Sequence, residues 1–348
     1  MRSWAGALLS LSLLAPAARA ASPIRTPAAE IPASDAWINA KGLSLARLKG
    51  KRAVVLAFVD FANLHSLRAL KVLSRWHEAY KLSGVMVIAV HTPLYPFQRD
   101  PTLLREEVKR LGIDFPVVVD NDRRMIAEYA NEGWPGFYVI DRKGRVAFSL
   151  VGEQRYSELE DEIRAAAGDL GYALAAKNPA PLDPPTQDCG AASPERSAVA
   201  GNPVNLDSED IHDTTVLGSA REGELAKHGQ WSAESQSLRL AEPNPDLETY
   251  LRFVYRGAQA FAVLGPAGGK RTKFFLRQDD LWLHAGNAGP EVQFDDDGRS
   301  YVVVDRPGLY QLTQNPNDNV HALSLAPNKP GAAVYTLSFA DRCLPYAP

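Results

Sequence analysis

Between residues 52 and 167, uninterrupted apolar runs take turns with segments of helical period, and few folds accept that order. The run 52–60 is apolar almost throughout and predicts a buried strand. After it Leu64, Leu67, Leu70, Leu73, Trp76 and Tyr80 recur at the spacing of one helix face. A second buried strand is expected over 85–91, then a helix over 102–111 that Gly112 is placed to end. Residues 116–120 read as a strand and 123–130 as a short amphipathic helix. The runs 137–141 and 146–151 flank Arg142, Lys143, Gly144 and Arg145, a hairpin signal, and 156–167 closes the unit as a helix. Alternation of this kind implies an α/β domain with a mostly parallel sheet covered on both faces, the final hairpin adding an antiparallel edge.

The second half has a different texture. At 348 residues the chain is long enough for two domains, and the Ala- and Pro-rich stretch within 171–195 marks a linker. Beyond it, short apolar runs at 250–255, 260–264, 271–276, 301–305, 308–312 and 333–339 are separated by Gly-, Pro- and Asn-rich turns. That pattern predicts an all-β sandwich over 196–345. The formal charge of −3 argues against an electrostatic mode of nucleic-acid binding, which needs a strongly basic face.

The N-terminus reads as a signal peptide over 1–20. Arg2 is basic, 5–15 is apolar, and Ala18 and Ala20 are the small residues a signal peptidase accepts. The apolar run is about half of the ~20 residues a spanning helix requires. A mature chain starting near Ala21 is therefore expected, with 21–36 as a leader, no membrane span, and a periplasmic or extracellular location. Cys189 and Cys343 are the only cysteines, and in an exported chain they predict one disulfide. Closing so long a loop stabilises by up to ~5 kcal/mol in the chain-entropy model.

The first half resembles the thioredoxin-like domain of the DipZ type, within the redoxin and thiol:disulfide interchange group. The residues that carry the resemblance run in order over about 37–165. They begin with Trp37, Ile38 and Asn39, then Leu48 to Lys51, then Val90, His91, Thr92 and Pro93. Phe115, Pro116 and Val117, Asp120 to Asp122, Trp134 and Pro135, Ile140, Asp141 and Gly144, and Gly152 with Glu153 complete them. The resemblance implies a thioredoxin-like domain over 37–170. Less specifically, Gly229, Gln230, Trp231 and the hairpin after Tyr250 resemble the jelly-roll, carbohydrate-binding-module-like sandwich that follows this domain in DipZ proteins.

Active members of this group carry Cys-x-x-Cys at the start of the long helix, where the helix end favours a thiolate that attacks a disulfide and a second thiol that resolves it. Alignment on Phe58 places Asn63, Leu64, His65 and Ser66 on that motif, so Asn63 stands for the attacking cysteine and Ser66 for the resolving one. An amide is not a nucleophile, a serine needs a base, and both of the chain's thiols lie in its second half. Dithiol catalysis by this domain is therefore not expected. Asn63 is instead a good helix N-cap. His65 beside Ser66 does not make a hydrolytic pair, because neighbours on a helix point about 100° apart. Trp134 and Pro135 sit where the family places a cis-proline, which together with Phe61 and His65 outlines a groove for a peptide.

The remaining candidates have ordinary explanations. His91 reads as a packed strand-end histidine. Asp295, Asp296, Asp297 and Gly298 fit a solvated turn as well as a calcium loop. Trp231, Trp282, Tyr250, Tyr255 and Tyr310 are aromatic platforms for a sugar if they are not core. No cofactor motif or metal-ligand spacing occurs, so neither group is expected. The expectation is an exported, redox-inactive binding or scaffolding protein for an envelope protein, peptide or glycan. The alternative is an oxidoreductase lineage whose two cysteines have been replaced.

Overall fold

Alternate side chains of the strand Ala53–Val59 enter two different cores: Val55, Ala57 and Val59 on one side, Val54, Leu56 and Phe58 on the other. A strand buried on both faces must lie in the middle of a sheet that is covered twice, and the first domain is built in that way. The computed structural model describes residues 25–32, 37–153, 155–171, 192–199 and 221–343, with the backbone alone of 211–213. The signal peptide, most of the linker and Cys189 lie outside them.

The first domain runs β1 (Trp37–Ile38), α1 (Leu45–Leu48), β2 (Ala53–Val59), α2 (Leu64–Tyr80), β3 (Val85–His91), α3 (Pro101–Arg110) and β4 (Val117–Val119). It continues with α4 (Arg124–Glu128), β5 (Gly136–Ile140), β6 (Val146–Val151) and α5 (Tyr156–Gly168). The sheet order is β1-β4-β3-β2-β5-β6. The expectation of a mostly parallel sheet needs correction: β2–β3 and β3–β4 are parallel, whereas β1–β4, β2–β5 and β5–β6 are antiparallel. An apolar run records that a strand is buried and carries no record of its direction. Leu67, Leu70, Leu73 and Trp76 of α2 pack with Leu159 and Ile163 of α5 on one face. Leu45, Leu48, Met125 and Ile126 of α1 and α4 cover the other.

The described part of the expected leader belongs to this domain. Ile31 is 2% exposed within the second core. Val146 N donates to Thr26 O at 2.8 Å and Ala28 N to Gly144 O at 2.9 Å. The Glu30 carboxylate accepts from Leu45 N and Ala46 N at 2.5 and 2.8 Å, capping α1 from outside. One buried isoleucine and one capping carboxylate anchor a stretch whose Ala and Pro content suggested a free leader.

The second domain is an all-β region of two largely antiparallel sheets. Its strands are β7 (Arg196–Ser197), β8 (Ile211–Asp213), β9 (Leu225–His228), β10 (Trp231–Ala233), β11 (Leu238–Leu240), β12 (Tyr250–Arg256) and β13 (Gln259–Gly265). There follow β14 (Thr272–Gln278), β15 (Leu281–Trp282), β16 (Val292–Phe294), β17 (Ser300–Val304), β18 (Gly308–Gln314), β19 (Val320–Pro327) and β20 (Ala333–Ala340). One sheet runs β10-β11-β20-β13-β18, with β7 beside β20. The other runs β16-β17-β14-β19-β12-β9-β8, with β15 beside β14. Leu251, Phe253, Phe274 and Leu325 from the second sheet share a core with Ala262, Leu264, Val334 and Leu337 from the first.

The outer face of the first sheet is not open to solvent. Phe261 and Ala340 enter the core of the thioredoxin-like domain. Val263, Ala333 and Tyr335 form a cluster with Ala62, Leu94 and Tyr95. The Tyr95 and Thr336 hydroxyls are hydrogen-bonded, and Gln236 Nε2 donates to Leu94 O at 3.0 Å. The two domains thus meet through a buried apolar contact beside the loop that leads into α2.

Candidate functional site

The loop between β2 and α2 is held by its own side chains. Asn63 is extended (φ −97°, ψ 125°), and its Oδ1 accepts from Ser66 N at 3.0 Å, which makes it the N-cap of α2. Ser66 is fully buried, and its Oγ accepts from Asp60 N at 3.1 Å. The two residues that alignment on Phe58 sets on the thiol positions therefore tie the strand end to the helix start. His65 turns away from Ser66: its Nδ1 lies 2.6 Å from Glu153 Oε2. Arg68 Nε also donates to Glu153, at 2.8 Å. Burial pushes the Glu153 carboxyl up, but the bonds from His65 and Arg68 outweigh it and hold the group below the ordinary carboxylate range.

Behind the loop is a buried polar cluster that sequence reasoning did not single out. Asp60 is fully buried and accepts from Ala62 N at 2.8 Å, Leu94 N at 3.0 Å and Gln98 Nε2 at 2.8 Å. Burial raises its carboxyl, opposed by the charge of nearby His91. His91 is fully buried, as expected of a packed histidine, and its ring meets Phe61 edge-on at 5.1 Å. Burial lowers its pKa, with Asp60 acting the other way. The second domain adds Glu195, whose Oε2 accepts from Asn63 Nδ2 at 3.4 Å. Burial pushes Glu195 up to about 7, against the charge of His65 and a bond from Ser338. The only signal for Asp60 was a carboxylate closing an apolar strand. Nothing local marks Glu195.

The four groove residues do not form one open channel. Trp134–Pro135 is a cis peptide bond. Pro135 O accepts from Gly152 N at 2.8 Å, next to the Glu153 that holds His65. Phe61 points the other way, onto His91. Trp134 packs against the cluster of Ala62, Val263 and Tyr335, so the second domain borders the loop. Between Phe61 and Gly308 lies a crevice of about 30 Å³. Among the described residues, the site holds Asp60, Glu153 and His91 buried and Glu195 half-buried, with no thiol.

The other candidates separate cleanly. Cys343 is disulfide-bonded, and Cys189 lies outside the described residues. Asp295 accepts from Asp297 N, Arg299 N and Arg299 Nε at 2.8 to 3.1 Å, so its oxygens close a turn rather than face an ion. Among the described residues, His77, Glu78 and Asp114 bring metal-ligating atoms within 4.8 Å of one another, with Glu78 held by Lys81 at 2.6 Å. Tyr255 and Tyr310 are buried in the core of the second domain. Trp231 packs against that core and donates to His228 O at 3.1 Å. Tyr250 and Trp282 line a cleft of about 670 Å³ on the outer face of the second sheet.

Residues 25–149 match the AhpC/TSA family and residues 193–340 match the thioredoxin-like C-terminal domain. DipZ of Mycobacterium bovis is 29% identical over 243 residues, 67% of this chain and 34% of that protein. The chain thus spans about a third of the length of the DipZ proteins it matches. The thiol-disulfide oxidoreductase YkuV of Bacillus subtilis is 24% identical over 140 residues, 40% of this chain and 93% of that one. Among solved structures, a thiol-disulfide isomerase from Corynebacterium glutamicum is 25% identical, covers 41% of this chain and 96% of its own, and has a TM-score of 0.38.

Proposed function

We propose that this chain, a thioredoxin-like redoxin domain joined to a β-rich domain of the kind found in DipZ, is a redox-inactive binding or scaffolding protein. One observation carries the reading: Asn63 and Ser66, which alignment on Phe58 sets on the thiol positions, are both engaged in structural hydrogen bonds, and Asn63 also reaches Glu195 of the second domain. Thiol–disulfide exchange needs a thiolate that a substrate disulfide can reach. Asn63 offers an amide, Ser66 a buried hydroxyl, and Glu195 stands over the first of them. The fold is retained, with its former reaction site serving as a domain joint.

The chain is read as exported, from its basic and apolar N-terminus. Among the described residues no helix is long and apolar enough to cross a membrane. Its partner is an envelope protein, a peptide or a glycan, held away from the closed loop. The rival reading, thiol:disulfide interchange, has the family of the first domain in its favour, but fold alone does not carry an activity. The test is insulin reduction by the purified full chain in dithiothreitol. The expected rate equals that of a control in which Cys189 and Cys343 are replaced by serine. A rate clearly above that control overturns the proposal.

A further inference from the structure

Three turns of the first domain meet at one end of its sheet, and all three carry basic residues. β2 and β3 are parallel with Ala53 opposite Val85, and β5 runs back with Ile140 opposite Val54. The turn before β2, the turn before β3 and the hairpin after β5 therefore lie side by side. Hydrogen bonds tie them together: Gly50 N donates to Arg142 O at 2.8 Å, Ala53 N to Gly84 O at 3.0 Å, and Arg52 Nη1 to Lys81 O at 2.9 Å. A Cβ placed on Gly144 would lie 3.6 Å from Lys49 Cδ, so the lysine stem runs over the hairpin.

The charge at this end is opposite to that of the chain. The whole protein carries −3, yet residues 36–59 hold five cations and no carboxylate, and 142–152 hold three cations and no carboxylate. Lys49, Lys51, Arg142 and Lys143 are exposed, and none has an ion-pair partner among the described residues. Asp141, next to them, is 4% exposed and is neutralised by Arg145 at 2.8 Å, with Arg25 at 3.7 Å. Like charges gathered in this way repel one another, and an anionic surface relieves the repulsion. In the middle turn, Lys81–Ser83, Leu82 is 88% exposed, more than any other large apolar side chain among the described residues. A lone exposed leucine is ordinary, but this one stands between two basic turns. The joint with the second domain begins beyond Val59, at the other end of β2, roughly 20 Å away at ~3.3 Å per residue.

From this arrangement we infer that this end of the first domain docks on an anionic phospholipid bilayer. The lysine and arginine groups meet headgroup phosphates, which accept charge-assisted hydrogen bonds. Leu82 enters the boundary between headgroups and acyl chains. An acidic protein or a soluble polyanion satisfies the cations equally well but gives Leu82 no apolar phase to enter, which favours the bilayer. The inference goes beyond the binding-module reading, and its test is independent of insulin reduction.

The full chain is sedimented with vesicles of phosphatidylcholine, or of phosphatidylcholine and phosphatidylglycerol in equal parts. Binding is expected to the anionic vesicles alone, and to be lost in ~1 M salt, where the screening length falls to ~3 Å. Lys49→Glu with Lys143→Glu is expected to weaken it about tenfold or more, and Leu82→Ser about threefold. Arg105→Glu with Lys109→Glu, at exposed positions of α3, alters the total charge by the same amount and is expected to weaken binding far less. Near-ultraviolet circular dichroism shows that each variant is folded. Equal binding to both vesicle types, an equal loss in the α3 variant, or affinity unchanged by Leu82→Ser overturns the inference. So does binding to soluble polyglutamate that exceeds binding to the anionic vesicles at equal charge concentration.

Discussion

Asn63→Ala removes the acceptor that satisfies Ser66 N, and loss of such a cap costs about 1 kcal/mol. Asn63→Ser keeps an acceptor and is expected to cost little, so thermal melts of the two variants separate capping from any other role of this side chain. Glu195 supplies a second prediction at this scale. Its folded pKa of about 7 lies above the ordinary value of 4.5, so between these values the native state holds a proton that the unfolded state has released. Its contribution is intact below about pH 4.5 and is lost as pH rises through 7. The span corresponds to roughly 3 kcal/mol. Glu195→Gln should therefore gain stability relative to wild type on going from pH 5 to pH 8. Asp60, raised by burial, has the same sign, while His91, lowered by burial, disfavours the fold toward acid. Comparing melts of wild type and variant at both pH values isolates Glu195, and a constant difference would refute its burial.

At the scale of elements, β12 and β13 show what a sequence can and cannot disclose. Along β12 buried and half-buried residues alternate, with Leu251, Phe253 and Tyr255 inward and Tyr250 and Arg252 outward. Along β13 every residue is buried: Ala260, Ala262 and Leu264 face the core of the second domain while Phe261 and Val263 face the first domain. An unbroken apolar run in an antiparallel sheet signals cover on both faces, but it does not say what the cover is. The same limit applies to Asn63. Its capping role was legible from residue type and place, whereas its bond to Glu195 spans 132 positions and leaves no local trace. Tyr250 and Trp282 could not be told from Tyr255 and Tyr310 by type. Only the sheet faces separated them. Val263→Asp would bury a charge between the domains. We expect faster cleavage by a nonspecific protease in the linker, with far less change in the circular dichroism of either domain.

For the whole molecule, the second domain decides what the first can do. A thioredoxin-like domain on its own presents the loop before α2 to a substrate. Here Val263, Ala333 and Tyr335 pack beside that loop, and the open concave surface lies instead on the far sheet of the β-domain. Reinstating the thiols is the most direct test of this account. In the intact chain, Asn63→Cys with Ser66→Cys, shown by circular dichroism to be folded, is expected to leave insulin reduction at the wild-type level because Glu195 stands over position 63 and position 66 is buried. Insulin reduction well above wild type by that variant would contradict the account.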